Sequence, residues 1–170
     1  KKVLGAAEEL GLPYENIPAG GVHGVVNDPD FRALNPNGLV PVLKDDDLVL
    51  WESNAIVRYL AGRYGEGQLM PADAGARAKA ERWMDWATGT IAAPFRDLFW
   101  NLVRLAPEQR DAKAMEAGLA RVADLLAILD AELARQPYLT GETFGIGDIP
   151  LGPVVYAWFA LPIERPARPH

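Results

Sequence analysis

The first part of the chain mixes helical and strand patterns. Residues 1–11 carry apolar side chains at helical spacing and end in a glycine, which is typical of a helix C-terminus. Residues 12–18 alternate apolar and polar positions and predict a strand. Residues 28–35 hold one helical turn at most. Residues 39–53 form two apolar runs around an acidic turn, which predicts a β-hairpin, and residues 52–64 return to helical spacing. This order predicts a small α/β layer.

The second part of the chain is helical throughout. Residues 76–105 carry a sustained apolar stripe, in which Pro94 should kink or break the helix. A further helix restarts with Pro107 near its first turn and carries leucines at alternating spacings of three and four. Residues 147–160 are apolar on nearly all sides, which predicts a central, buried helix.

These patterns predict two domains and a linker. Residues 1–64 form the α/β domain and residues 76–170 form an all-helical domain. Residues 65–75 are rich in glycine and proline and have no period, so we interpret them as the linker. The chain starts inside a helical pattern without a capping residue and ends in a proline-rich turn. We therefore expect the sequence to lack residues at both termini.

Composition narrows the chemistry. The chain has 170 residues, of which 49% are hydrophobic and 24% charged, and its net charge is −6. No basic patch suited to nucleic acid is visible. The absence of cysteine excludes disulfides, thiolate metal sites and a cysteine nucleophile within this chain, and the two histidines lie far apart, so no metal site is expected. No apolar stretch is long enough to cross a membrane, and a cytoplasmic protein is the default expectation.

Two short stretches suggest a site. Pro41 stands between two valines in an apparent strand, where proline belongs only at an edge, a bulge or a bend. Glu52 and Ser53 open a helix, and the free N–H groups of a helix N-terminus attract carboxylates. From these residues alone, a trans proline at a sheet edge and a simple helix cap are more common than a binding site.

Three motifs carry a family resemblance. NPNGLVPVL at residues 35–43, LVLWESNAIVRYLAGRYG at 48–65 and FGIGDIPLG at 144–152 occur in this order. With them the chain resembles the glutathione transferase superfamily, particularly its bacterial and theta-like branches. The resemblance implies a thioredoxin-like N-terminal domain, whose first strand is missing here, and an all-α helical C-terminal domain. It also implies a catalytic Ser, Tyr or Cys upstream of Lys1, so no catalytic residue is assigned within this chain.

The resemblance implies a glutathione site at four residues. The bond between Val40 and Pro41 is expected to be cis, and the N–H and C=O of Val40 are expected to pair with the central residue of glutathione. Ser53 is expected to bind the γ-glutamyl carboxylate, and Glu52 the adjacent ammonium. Leu39 occupies a position at which many relatives carry Lys or Arg for the glycine carboxylate.

Two further features depart from the family or remain open. With leucine at position 39, Asn37 and His23 are the nearest polar candidates for the glycine end, although an exposed loop histidine without a role is the simpler interpretation of His23. Gly145 stands where the family usually has Ser or Thr, three residues before Asp148. This change should weaken the cap of the late helix by a few tenths to about 1 kcal/mol.

The implied activity is attack of the glutathione thiolate on a small electrophilic molecule. Glutathione is then a co-substrate, no metal takes part, and a cytoplasmic homodimer active in detoxification is expected, without nucleic-acid or membrane partners. The electrophile is expected to bind against the helical domain. Most side chains of an aromatic-rich segment should be core, and one or two near Pro94 could line an apolar pocket: Trp83, Trp86, Phe95, Phe99 and Trp100. Arg96 and Arg104 could lie at its rim, although a solvated surface position is the simpler interpretation of each. Two alternatives stay open: a non-catalytic binding or scaffold protein of the same fold, and a glutathione-dependent isomerase, dehalogenase or peroxidase.

Overall fold

The computed structural model describes all 170 residues, Lys1 to His170. The chain divides into two units, Lys1–Met70 and Pro71–His170, so that their boundary falls within residues 65–75. The first unit contains three helices and one hairpin: α1 (Lys2–Glu9), α2 (Pro29–Leu34), β1 (Val42–Asp45), β2 (Leu48–Trp51) and α3 (Ser53–Tyr64).

Helices α1 and α3 pack against each other and supply most of the buried apolar side chains of the first unit. Ala6 and Ala7 are buried on α1, and small side chains allow the two helix backbones to approach closely. The opposing face of α3 is apolar at helical spacing and buries Ile56, Val57, Leu60 and Ala61. Helix α1 ends as its sequence predicts: Gly11 has a φ of +63°, the left-handed conformation that glycine adopts without strain.

The predicted hairpin is present. Strands β1 and β2 pair antiparallel, with Val42 opposite Trp51 and Asp45 opposite Leu48. Pro41 lies just before the first paired residue, so its missing N–H removes no hydrogen bond from the ladder. Asp46 in the connecting turn has a φ of +51°, which aspartate tolerates better than most residues.

The predicted strand at residues 12–18 is wrong. This segment has no regular secondary structure, and the sheet consists of β1 and β2 alone. A strand needs a hydrogen-bonded neighbour, and no strand of the structure pairs with this segment. The side chain of Ile17 is 74% exposed, so the alternating pattern does not place an apolar face in a core.

The second unit is all-helical, as predicted. Its helices are α4 (Ala74–Trp86), α5 (Ala92–Phe99), α6 (Ala112–Leu133) and α7 (Gly152–Ala160). The leucine-rich stripe of α6 lies in the core, together with residues from α4, α5 and α7: Trp83, Leu98, Val122, Leu125, Leu126, Leu129 and Trp158. No helix is both long and apolar enough to span a bilayer.

The α-helical pattern breaks near Pro94, as predicted. A π-helical turn at Ala87–Ile91 separates α4 from α5, and Pro94 lies in the first turn of α5. Proline cannot donate to the carbonyl group four residues earlier, and the wider preceding turn accommodates this loss. A second π-helical turn, Trp100–Arg104, follows α5.

Two predicted helix starts are wrong. Pro107 opens a separate 3-10 turn, and α6 begins only at Ala112, because the side chain of Asp111 caps it. The late helix begins at Gly152 rather than near residue 147. The intervening segment is a turn held by Asp148, whose carboxylate accepts backbone hydrogen bonds from three residues: Leu139 at 2.7 Å, Thr140 at 3.2 Å and Gly145 at 3.0 Å.

The expected burial of the late helix is also wrong. Only Trp158 of α7 is buried, and Tyr156 on the same helix is 70% exposed. An apolar composition on all sides does not bury a helix that packs against its own unit along one face. Gly145 belongs to the turn that precedes α7, so it does not cap this helix.

Candidate functional site

The loop that precedes β1 is organised around Asn35, whose side chain is only 2% exposed. Its Nδ2 donates to the backbone C=O of Leu39 at 2.7 Å. Its Oδ1 accepts from the backbone N–H and from the Nδ2 of Asn37, both at 3.0 Å. A buried amide whose nitrogen and oxygen both form hydrogen bonds holds a loop in one conformation. Asn35 therefore fixes the backbone that leads into Val40.

The outer side of the same loop is held by Arg32. Its guanidinium donates to the C=O of Pro36 at 2.8 Å and to the Oδ1 of Asn27 at 2.9 Å. Gly38 has a φ of +64°, and a Cβ there would stand 2.6 Å from the Cζ of Arg32. Glycine is favoured at this position, because another residue would strain the backbone and would displace the guanidinium of Arg32.

Val40 presents unpaired backbone groups. The peptide bond between Val40 and Pro41 is cis, as expected. The side chain of Val40 is 51% exposed. Neither its N–H nor its C=O forms a hydrogen bond within the chain, because the ladder begins at Val42. An unpaired strand edge of this kind can bind an extended peptide.

The start of α3 is not capped by a side chain. Glu52 is the residue before the helix, and its carboxylate accepts no backbone hydrogen bond from it. Its φ of +72° is strained for a residue with a side chain, and such conformations concentrate at functional sites. Ser53 is the single serine of the chain, and its hydroxyl has no hydrogen-bond partner in the structure. The capping alternative for these two residues is therefore not what the structure shows.

A lysine from α1 lies beside this helix start. The Nζ of Lys2 donates to the Oδ1 of Asn54 at 3.3 Å. Burial lowers the pKa of Lys2, and the nearby carboxylate of Glu52 partly offsets that effect. The start of α3 thus combines a carboxylate, an ammonium group and free helix N–H groups.

The other end of α3 is attached to the hairpin. The Oδ2 of Asp45 accepts hydrogen bonds from the hydroxyl groups of Tyr59 and Tyr64, both at 2.7 Å. These two hydrogen bonds hold the pKa of Asp45 below its ordinary value. These hydrogen bonds fix the position of α3 relative to the hairpin. Val40 lies in the loop that leads into β1, the first strand of that hairpin.

One cavity of about 100 Å³ brings these features together. All four residues expected to bind glutathione line it, and so does Leu39. His23 lies in an exposed 3-10 turn and does not line the cavity. The lining residues are Asn35, Asn37, Leu39, Val40, Pro41, Glu52 and Ser53. Sequence reasoning assigned no role to Asn35. The Asn-Pro-Asn-Gly sequence indicates a turn that an asparagine side chain can organise, but it does not identify the partners of Asn35.

A larger cavity, of about 440 Å³, lies in the second unit. It is lined by Arg96, Asp97, Trp100 and Asn101. Of the aromatic-rich segment, Trp83 is buried in the core, and only Trp100 lines this cavity. Elsewhere in the chain, no three His, Asp or Glu side chains are grouped so that they could hold a metal ion.

Comparison with known families gives two matches along the chain. The model described as "Glutathione S-transferase, N-terminal domain" matches residues 1–63. The model described as "Glutathione S-transferase, C-terminal domain" matches residues 112–169. The first match contains every residue of the small cavity.

Individual relatives agree with these matches. The chain is 49% identical over 172 residues to glutathione S-transferase GstB of Escherichia coli strain K12, covering 100% of this chain and 83% of that protein. It is 38% identical over 174 residues to glutathione S-transferase 3 of Zea mays, covering 99% and 75%. A theta class glutathione S-transferase from Xanthomonas axonopodis pv. citri, solved with glutathione bound, superposes with a TM-score of 0.94 at 54% identity, covering 99% and 81%. The chain belongs to the glutathione S-transferase family.

Proposed function

We propose that this chain is a glutathione transferase that binds glutathione in the small cavity and presents its thiolate to a small electrophile. One observation supports the proposal most strongly: two sets of polar groups without partners line the same cavity. They are the backbone groups of Val40 and the start of α3 at Ser53. Each offers hydrogen bonds that the chain itself does not use. A tripeptide with a carboxylate at one end matches both.

Each residue has a defined part in this binding mode. The N–H and C=O of Val40 pair with the cysteine residue of glutathione, as an added strand would. The N–H and hydroxyl of Ser53 donate to the γ-glutamyl carboxylate, which the helix N-terminus also attracts. The carboxylate of Glu52 accepts a hydrogen bond from the ammonium of the γ-glutamyl group. Pro41 completes the wall of the cavity beside Val40.

The chemistry follows from holding the sulfur in place. The thiolate attacks an electrophilic carbon, a C–S bond forms, and the electron pair of the broken bond leaves with the departing group. Fixing both ends of the peptide lowers the entropic cost of bringing the sulfur to that carbon. The residues named here bind and orient the thiol, and none of them is assigned a proton-transfer role.

The same proposal includes the setting of the reaction. The partner molecule is a small electrophile, the protein acts as a homodimer in the cytoplasm, and its role is detoxification. Family membership supports these points. Light scattering of the purified protein tests the dimer, and cell fractionation tests the location.

Calorimetric titration with glutathione tests the binding mode. The wild type should bind, and Ser53→Ala should weaken binding by about 10-fold or more, because a hydrogen bond to a charged group is lost. Thr143→Ala is the matched control, since it removes an exposed hydroxyl in the other unit and should leave the affinity unchanged. Equal affinity of Ser53→Ala and the wild type would contradict the proposal.

A further inference from the structure

The small cavity has one charged end and one uncharged end. At the start of α3, Glu52 and Lys2 lie beside free helix N–H groups. At the opposite end, beyond Val40, the lining residues are Asn37 and Leu39, and the side chain of Leu39 is 63% exposed. No Lys, Arg or His lines the cavity.

No cationic side chain from the neighbouring parts of the chain lines the uncharged end. Residues 12–28 contain no Lys or Arg, and their one histidine, His23, does not line the cavity. Arg32 and Lys44 are the cations nearest to Leu39 in sequence, and neither lines the cavity. Two donors of Arg32 bind the C=O of Pro36 and the Oδ1 of Asn27, which holds the loop. The lining of this end therefore offers no cationic side chain to a bound carboxylate.

The direction in which the three residues of glutathione lie along the cavity follows from the proposed function, on which this inference rests. With the γ-glutamyl group at Ser53 and the cysteine residue paired with Val40, the glycine extends past Val40 towards Leu39. Its carboxylate then meets a leucine side chain and an amide rather than a cation.

We infer that this site recognises the γ-glutamyl and cysteinyl parts of its ligand and does not select for a charged C-terminus. Its substrate class is γ-glutamyl thiol peptides in general, including those whose C-terminal carboxylate is neutralised as an ester or amide. A leucine side chain contacts the alkyl group of an ester as well as it contacts a carboxylate, and desolvating the ester costs less.

Titration with three peptides at low ionic strength tests this. The probes are glutathione, its glycine monoethyl ester, and glutathione amidated at the γ-glutamyl α-carboxylate. The ester should bind the wild type within about 3-fold of glutathione, whereas the α-amide should bind about 10-fold or more weakly, because it loses a charge-assisted hydrogen bond. An ester that binds 10-fold more weakly than glutathione overturns the inference and leaves the proposed function intact. Failure of all three peptides to bind overturns both.

A gain-of-charge variant sharpens the test. Leu39→Arg should tighten glutathione by about 3-fold to 10-fold and leave the ester unchanged, because it introduces a cation only the free carboxylate can use. Leu48→Arg places the same charge on the exposed hairpin of the same unit, away from the cavity, and is the matched control. If Leu39→Arg does not separate the two peptides, the glycine end does not lie at Leu39 and the inference fails.

Arg32 is the remaining rival for the carboxylate. Arg32→Gln should change the affinities of glutathione and of its ester by the same factor, since Arg32 acts on the loop through Pro36 and Asn27. The ratio of the two affinities does not depend on how much folded protein each sample contains, so partial unfolding of the variant does not affect the test. A loss confined to glutathione would identify Arg32 as the cation and overturn the inference.

Discussion

The start of α3 differs from the starts of α4 and α6. The carboxylates of Asp73 and Asp111 each accept a hydrogen bond from the backbone N–H three residues on, at 2.8 and 3.0 Å. The start of α3 has Glu52 and Ser53 in the corresponding place, and no side chain caps it. Two helices thus have a side-chain cap at the N-terminus, whereas α3, which borders the cavity, has none.

An uncapped helix must be stabilised by other contacts. Helix α3 packs four apolar side chains into the first unit, and its C-terminal half is attached to the hairpin through Asp45. A missing cap costs about 1 kcal/mol, and burying one large apolar side chain offsets more than that. Asp73 and Asp111 therefore stabilise the helices that they cap, whereas we propose that Ser53 binds a ligand.

Placing a carboxylate at position 53 should have the largest effect on glutathione binding. Ser53→Asp introduces a carboxylate that interacts well with the helix N-terminus but repels the γ-glutamyl carboxylate. Glutathione affinity should fall by about 100-fold or more, with stability unchanged or slightly raised. Thr143→Asp adds the same charge in the other unit as a control. Unchanged binding by Ser53→Asp would show that the ligand carboxylate lies elsewhere.

Removing a true cap should give the opposite result. Asp111→Ala should lower the free energy of unfolding by about 1 kcal/mol without changing glutathione affinity. Urea unfolding followed by circular dichroism measures the first, and calorimetry the second. Ser53→Ala, by contrast, should leave the unfolding midpoint near that of the wild type. A stability loss in Ser53→Ala equal to that in Asp111→Ala would remove the distinction between the two helix starts.

Neutralising the carboxylate before α3 should have a moderate effect. Glu52→Gln should weaken glutathione by about 3-fold, because an exposed ion pair with the ligand ammonium contributes under about 1 kcal/mol. The loss should shrink as salt is added, since exposed charges are screened. Glu66→Gln, outside the cavity, is the control. A loss that persists unchanged at high salt would contradict an ionic role for Glu52.

The attachment of α3 to the hairpin predicts a small acid sensitivity. Tyr59 and Tyr64 lower the pKa of Asp45 in the folded state, whereas an unfolded aspartate titrates near 3.9. The ionised carboxylate therefore stabilises the fold fully above that value, and the contribution is lost as the pH falls through the lower folded pKa. Thermal unfolding of the wild type and of Tyr59→Phe/Tyr64→Phe between pH 7 and 3 measures it. The difference between the two proteins should narrow at acid pH, and a constant difference would exclude Asp45 as the titrating group.

Local patterns predicted much of the first unit. The two apolar runs around Asp46 form the hairpin, and Gly11 ends α1 in the expected conformation. The strand expected at residues 12–18 failed because strand formation depends on a pairing neighbour, which a local pattern does not specify. The burial expected of α7 failed for a similar reason, because composition does not show how many sides of a helix are covered.

The candidate site was predicted in part. The motifs pointed to Val40, Pro41, Glu52 and Ser53, and the structure places all four around one cavity. The role of Asn35 was not foreseen, because a buried amide that organises a loop is visible only once its partners at Leu39 and Asn37 are known. The same limit applied to the open start of α3, since Glu and Ser before a helix usually indicate a cap.

Backbone amide chemical shifts during a glutathione titration test the central claim most directly. If the unpaired groups at Val40 and at the start of α3 bind the peptide, the amide signals of Val40 and Ser53 should shift most. The amides at the capped helix starts, Ala76 and Ala114, should not move. Shifts absent from Val40 and Ser53, or centred on other residues, would contradict the account.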